Sequence, residues 1–287
     1  MNSSKIFSPG RLFIYALLTL FALYYITPLY VMLSTSFKTL DEIRSGNLLS
    51  IPHEWSGAAW NKAWSSACTG VTCAGLQPFF WNSIKMAVPS VLISTFIGAL
   101  NGYVFAHWRF RASEAVFTAL LVGCFIPFQV VILPMAGVLG KLGLANTTTG
   151  LIFVHVIYGI AFTTLFFRNY YVSVPEELIK AARIDGAGFF LIFWKIILPI
   201  SIPIFMVSII WQFTQIWNDF LFGIVFAGGQ SQPITVGLNN LVNTSTGVKE
   251  YNVDMAAAII AALPTLFVYM VAGRYFVRGL TAGAVKG

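Results

Sequence analysis

SVPEELIKAARIDGAGFFLIFWKIILP, residues 173–199, gathers six charged side chains into one short stretch of a 287-residue chain that holds only 17 basic and 10 acidic residues. Apolar runs flank it on both sides, at about 148–167 and 191–213. Each is close to the roughly 20 residues that a helix needs to cross the hydrocarbon core. A charged segment between two such runs reads as a connection at the water interface. The fold follows from carrying that reading outward.

Composition agrees with it. The chain is 57% hydrophobic and 9% charged, with a mean hydropathy of +0.79, far from the balance of a soluble globular chain. Backbone amides in lipid must be paired within their own segment, so long apolar runs imply helices. A barrel would instead show alternating segments of about ten residues. Six spans are predicted, at about 12–34, 82–106, 114–137, 148–167, 191–213 and 254–273, in one all-α, polytopic permease domain covering 1–287. Prolines 89, 127, 134, 199, 203 and 264 fall in or near them and predict kinks, because each removes an amide donor. The two longest connections, 35–81 and 214–253, are too short for a catalytic domain.

Lysine and arginine set the orientation. With the N-terminus inside, Lys5, Arg11, Arg109, Arg111, Arg168, Lys180, Arg183, Lys195, Arg274, Arg278 and Lys286 fall on the cytoplasmic side. Lys38, Arg44, Lys62, Lys141 and Lys249 fall outside, and Lys85 lies in a span. Both termini and the charged segment are thereby placed in the cytoplasm. The net charge of +7 is accounted for by this bias, and nothing points to nucleic acid. The first run, 23 residues at 12–34, is longer than a signal-peptide core and reads as a retained span.

Three cysteines are present. Cys124 lies in a span and reads as packing. Cys68 and Cys73, in CTGVTC of the first external loop, leave two alternatives open, a short-ring disulfide or two free thiols. No metal set is assigned, since none of the three histidines neighbours the pair. No G-x-x-x-x-G-K-[ST] phosphate loop, H-E-x-x-H or Ser/His/Asp set occurs, so no catalytic residue or cofactor of the chain itself is assigned.

Within 173–199, Ser173 and Glu176 have the spacing of a capping box, and Pro175 suits a first helical turn. A helix is predicted over about 174–186, ending at Gly186 and Gly188. Glu176 and Lys180 stand at i,i+4 and can pair. Ala181, Ala182 and Gly186 put small side chains together, so a cleft wall can approach closely.

The fuller string, Ala181-Ala182-x-x-Asp185-Gly186, nine residues, then Ile196-x-Leu198-Pro199, resembles the signature loop of the membrane subunits of bacterial ABC importers. SFKTLDEI at 36–43, FIPFQVVILP at 125–134, KLGLANTTTGLI at 141–152, IWNDFLF at 216–222 and RYFVRGLTAGAVKG at 274–287 extend the likeness. They are similar to the carbohydrate-uptake branch, in particular to the smaller membrane subunit of the maltose importer. The resemblance implies a type I importer transmembrane domain in a bacterial inner membrane. It implies as partners a second, different membrane subunit, two cytoplasmic ATPases that hold ATP and Mg, an external solute-binding protein and a sugar. It also implies that Glu176, Glu177, Lys180, Ala181, Ala182, Asp185, Gly186, Leu198 and Pro199 face an ATPase cleft. Lys180 departs from the family pattern, which has Glu there, so an ion pair made by that Glu is not carried over.

Polar side chains stranded in spans are functional candidates because lipid does not solvate them. Gln129, Gln215, Asn218 and Asp219 are taken as a candidate substrate path, Asn218 and Asp219 lying between aromatic residues suited to stacking on a sugar. Asn101, between Gly98 and Gly102, reads as a structural hydrogen bond on a close-packing face, and His155 as a satisfied core residue. Segment 228–250 by resemblance reaches toward the binding protein. The stretch from CTGVTC to FFWNSIKMAVPSVLIS is similar to glucose/mannose importer subunits of proteobacteria. An ion-coupled carrier and a non-transporting scaffold are the competing readings; the lack of a visible internal repeat counts against the carrier.

Overall fold

The structure, a computed structural model, describes residues 9–108, 110–244 and 248–284, with side chains up to Gly273. Lys5, Arg109 and Lys286 of the charge census lie outside the described residues, as do the side chains of Arg274 and Arg278. Among the described residues the chain is helical and no β-strand forms; the isolated bridge is Asn146 with Ala227.

In chain order the helices are α1 (Pro9–Ser36), α2 (Leu40–Ser45), α3 (Ala58–Ser65), α4 (Gln77–His107), α5 (Ser113–Phe125), α6 (Phe128–Lys141), α7 (Thr148–Tyr171) and α8 (Glu176–Ile184). Then come α9 (Phe189–Ile192), a π-helical turn (Phe193–Ile197), α10 (Leu198–Ile200), α11 (Ile202–Trp217), α12 (Leu221–Phe226), α13 (Ile234–Asn243) and α14 (Tyr251–Ala284). Four of these, α1, α4, α7 and α14, are each long and apolar enough to cross a membrane. Two of the predicted spans are broken instead. α5 and α6 meet at 105°, and the α9–α10 run meets α11 at 78°. Six spans result if each bent pair counts as one.

The breaks have local causes. Ile126, held extended (φ −70°, ψ 122°), precedes Pro127, and a residue before proline is pushed out of the helical region. The second break falls at Ser201, between Pro199 and Pro203. By contrast Pro28, Pro89, Pro134 and Pro264 sit inside continuous helices. Neighbouring groups in a membrane bundle re-satisfy the carbonyl that a proline frees. The connections 35–81 and 214–253 are also richer than expected, since they carry α2, α3, α12 and α13.

The chain packs as two compact units. The first comprises residues up to Gln77 and Leu238–Ala261. In it α1 buries only Ser34, Thr35 and Ser36, at its end. Phe37 stacks on Trp60 and lies tilted against Trp55, and the Trp60 Nε1–H donates to Ser36 Oγ at 3.2 Å. Lys38 is buried and donates to Asn47 O at 3.3 Å and Ser50 Oγ at 3.1 Å. Cys68 and Cys73 are joined in a disulfide. The hairpin they close donates from Gly70 N to Thr244 Oγ1 at 2.9 Å, while Lys62 pairs with Glu250.

Closing so short a ring restricts the unfolded chain by about 2 kcal/mol. In denatured protein, maleimide is expected to label one cysteine before reduction and three after. Equal counts would mean that the bridge is not formed.

The second unit comprises Pro78–Gly237 and the residues from Ala262. Its helices approach closely where side chains are small. A Cβ added at Gly98 would lie 2.2 Å from Thr163 Oγ1, and one at Gly102 would lie 2.6 Å from Phe167 Cβ. Asn101 Nδ2 donates to Thr164 Oγ1 at 3.3 Å across the same α4–α7 seam, the structural role read for it. Deeper in the unit, Gln212 Nε2 of α11 donates to Ser94 Oγ of α4 at 2.8 Å, and Thr163 Oγ1 of α7 donates to Ser94 O at 2.9 Å. Close backbones and interhelical hydrogen bonds are what hold helices together where lipid offers no hydrophobic drive.

Candidate functional site

α8 is shorter than the sequence suggests and starts differently. It runs over Glu176–Ile184, with Pro175 at the N-cap and no side-chain cap. The capping box does not form, because the Ser173 hydroxyl donates to Tyr170 O at 2.7 Å, closing the end of α7 instead. The C-terminal stop is as predicted, with Gly186 in the left-handed region at φ +82°, where glycine carries no Cβ penalty.

The packing of α8 fixes which face points inward. Ile179 and Ala182, three apart, are 2% and 8% exposed. They pack into a core with Ala99, Tyr103, Phe167, Tyr171, Ile192, Phe193 and Ile197, so α8 is seated on α4, α7, α9 and the π-helical turn. Arg183 adds a second attachment. Its Nη2 donates to His107 O at 3.1 Å and its guanidinium lies 4.1 Å over the Trp108 ring. Ala182 therefore faces inward and does not join Ala181 and Gly186 on an outer docking face. Leu198 likewise packs against this core, while Pro199 is exposed.

The outward face carries Glu176, Glu177, Lys180, Ala181, Asp185 and Gly186. Two apolar side chains that the sequence reading passed over join them, Leu178 and Ile184, the latter 86% exposed. Lys180 Nζ lies 3.0 Å from Glu176 Oε2, and this hydrogen bond and charge hold the Glu176 carboxyl below its ordinary range. The pair is solvent-exposed and adds little stability.

A cavity of about 860 Å³ lies elsewhere in the second unit, among residues of α5, α6, α7, α11 and α12. Gln215, Asn218 and Asp219 line it together, whereas Gln129, exposed in the first turn of α6, is not among its lining residues. Asp219 is committed to the backbone: Oδ1 accepts from Phe222 N at 3.2 Å and Oδ2 from Gly223 N at 3.1 Å, at the start of α12. Asn218 Nδ2 donates back to Thr214 O at 2.9 Å.

His155 differs from its sequence reading. It lines the cavity at 5% exposure, yet its Nε2 makes no hydrogen bond and lies 3.7 Å from Asp219 Oδ2. His155, Tyr158 and Phe162 follow one face of α7 into the cavity. Their i, i+3, i+7 spacing was the signal available in the sequence. Gly159 leaves room for Gln212, whose Nε2 would lie 1.9 Å from an added Cβ.

Comparison with known proteins gives these features a family. Residues 80–282 match the family described as the inner membrane component of binding-protein-dependent transport systems. A probable ABC transporter permease of Pyrococcus horikoshii is 46% identical over 62% of this chain and 65% of its own length. The xylose/arabinose import permease XacI of Haloferax volcanii is 30% identical over 94% of this chain and 92% of its own. The glucose import permease GlcU of Saccharolobus solfataricus is 30% identical over 95% of each. Among solved structures, a chain of a bacterial ABC transporter that imports the acidic polysaccharide alginate superposes with a TM-score of 0.81 at 21% identity, covering 94% of this chain and 99% of that one. This last likeness speaks for the fold. With more than half of its length inside the family match, the chain belongs to the inner membrane components of binding-protein-dependent transport systems, the membrane-embedded permeases of ABC importers.

Proposed function

We propose that this chain is one of two membrane subunits of an ATP-driven sugar importer, with its 860 Å³ cavity forming part of the path and α8 docking in a cytoplasmic ATPase. The observation that carries the proposal is the anchoring of α8, through Ile179, Ala182 and Arg183, to the ends of the long helices α4 and α7. A helix that exposes one face and buries the other in the core transmits a push at its exposed face as a rigid-body movement.

In this reading the ATPases bind and hydrolyse ATP with Mg, an external solute-binding protein delivers the sugar, and both termini face the cytoplasm of a bacterial inner membrane. The full-length relatives XacI and GlcU are named for monosaccharides. A permease named for diacetylchitobiose is also matched, over 95% of this chain; we take a monosaccharide as the cargo, with glucose or mannose suggested by the loop around Cys68 and Cys73. The second membrane subunit is taken to be a different chain. Segment 228–244, which contains α13, faces the binding protein in this reading, with 245–247 outside the described residues.

Ala181→Trp tests the docking. Ala181 is exposed on the outer face, so tryptophan there leaves the core of the chain intact. At Gly186 the positive φ would mix docking with backbone strain. The variant is expected to reach the membrane in normal amount, to lose co-purification with the ATPase and to retain less than a tenth of wild-type uptake. Normal uptake with normal co-purification would show that this face does not dock.

A further inference from the structure

We propose that the cavity passes uncharged, polyhydroxylated ligands and turns anionic ones away, an inference that rests on the reading of the cavity as a sugar path. The solved structure of the same fold belongs to an importer of an acidic polysaccharide, so the fold alone does not set the charge of the cargo. The lining does.

Among the described lining residues there is no lysine and no arginine. The one formal charge is the Asp219 carboxylate. The amides of Phe222 and Gly223 hold both of its oxygens, so it cannot swing aside for an incoming anion. His155 is the single lining side chain able to become cationic. It is 5% exposed, and its Nε2 is directed at Asp219 Oδ2 from 3.7 Å. A positive charge there would be matched by Asp219 and not by cargo. What the wall offers a ligand is neutral: Gln215, whose side chain makes no hydrogen bond within the described residues, the Asn218 carbonyl, and the rings of Tyr158, Trp211 and Phe222.

Amides and aromatic faces suit the hydroxyls and the apolar face of a neutral sugar ring. A carboxylate entering the same space would shed water against a fixed like charge without gaining a cation, and in a site of low dielectric that repulsion is poorly screened.

The test uses the complete importer, with its ATPases and solute-binding protein, in proteoliposomes. ATP-dependent uptake of labelled D-glucose, D-mannose and D-xylose is compared with that of D-glucuronate and D-galacturonate. At least one neutral sugar is expected to enter, with each uronate at least tenfold slower. Uronate uptake at a comparable rate, or no uptake of any neutral sugar, overturns the proposal.

Because the binding protein also selects, the chain's own part is read from Gln215→Lys and Gln215→Glu, which differ mainly in sign of charge. Neutral cargo should be slowed about equally by both, whereas a tenfold advantage of the lysine variant would mean anionic cargo. Gly123→Trp separates the two levels of the inference, since Gly123 lines the cavity, a Cβ there meets nothing within 4 Å and the indole narrows the space at the α5 wall. Undiminished uptake in that variant would show that the cavity is not the path. Blocked uptake with a strong sign asymmetry at Gln215 would refute the charge selectivity alone.

Discussion

Ile179→Asp should abolish ATP-driven uptake while the chain remains in the membrane. Ile179 is 2% exposed, at the centre of the core that seats α8 on α4, α7 and the π-helical turn. Truncating a buried isoleucine to alanine typically costs about 2–5 kcal/mol. Aspartate adds a carboxylate with no cation in that core, which the chain avoids by letting α8 lift off. The long helices α4, α7, α11 and α14 keep their own contacts, so the loss falls on transmission between ATPase and spans. Less than a tenth of wild-type uptake is expected, along with ATP hydrolysis that no longer responds to loaded binding protein. Ile179→Leu, which conserves volume, should stay within about 1.5 kcal/mol of wild type and transport normally. Wild-type uptake by the aspartate variant would mean that α8 is not the lever.

Gly102→Leu is expected to damage the fold itself. A Cβ at Gly102 would lie 2.6 Å from Phe167 Cβ, 2.7 Å from Arg168 N and 2.8 Å from Phe167 C. Two of those three atoms are backbone, so no rotamer change relieves the overlap and α4 must part from α7. Overpacking in a core that can yield costs about 1–3 kcal/mol; here the obstruction is backbone, so the loss should exceed that range. The parting would also open the core built on Ala99, Tyr103, Phe167 and Tyr171. The purified complex should unfold at a clearly lower temperature, or the chain should be degraded before assembly. Asn101→Leu, which removes only the 3.3 Å hydrogen bond to Thr164, should cost about 0.6 kcal/mol, the average for such bonds in membranes. Thermal stability of the two variants in detergent measures the contrast. Equal stability of Gly102→Leu and wild type would overturn the account of the seam.

Much of this was legible in the residues. Hydropathy located the long apolar runs, four of which are continuous helices and two of which are bent pairs, since the requirement for internally paired backbone leaves helices as the solution for such runs. The close seam was marked by Gly98 and Gly102, and the end of α8 by Gly186, because both signals are local backbone facts. What escaped depended on competition or on tertiary position. Ser173 had the spacing of a cap, but the end of α7 lay nearer and took its hydroxyl. That shifted the start of α8; Ala182 faces inward because it shares a helix face with the buried Ile179, three residues before it. Pro127 announced an interruption without its angle, since 105° is set by what α5 and α6 pack against. Gln215, Asn218 and Asp219 were recognised as candidates, yet only the folded chain shows that Asp219 serves the start of α12 and that His155 stands beside it.

One feature of the first unit bears on how the chain is made. No residue in the membrane-spanning stretch of α1 is fully buried, although its last residues, Ser34 to Ser36, are anchored. Membrane helices insert first and associate afterwards, and for α1 the second step adds little from within the chain. Its biogenesis is therefore first a partition problem: lipid affinity and flanking charge settle its placement before any docking. Polar substitutions between Leu12 and Leu33 should act at insertion, as misoriented or secreted N-terminal segments, and leave the folding of the remaining helices unaltered.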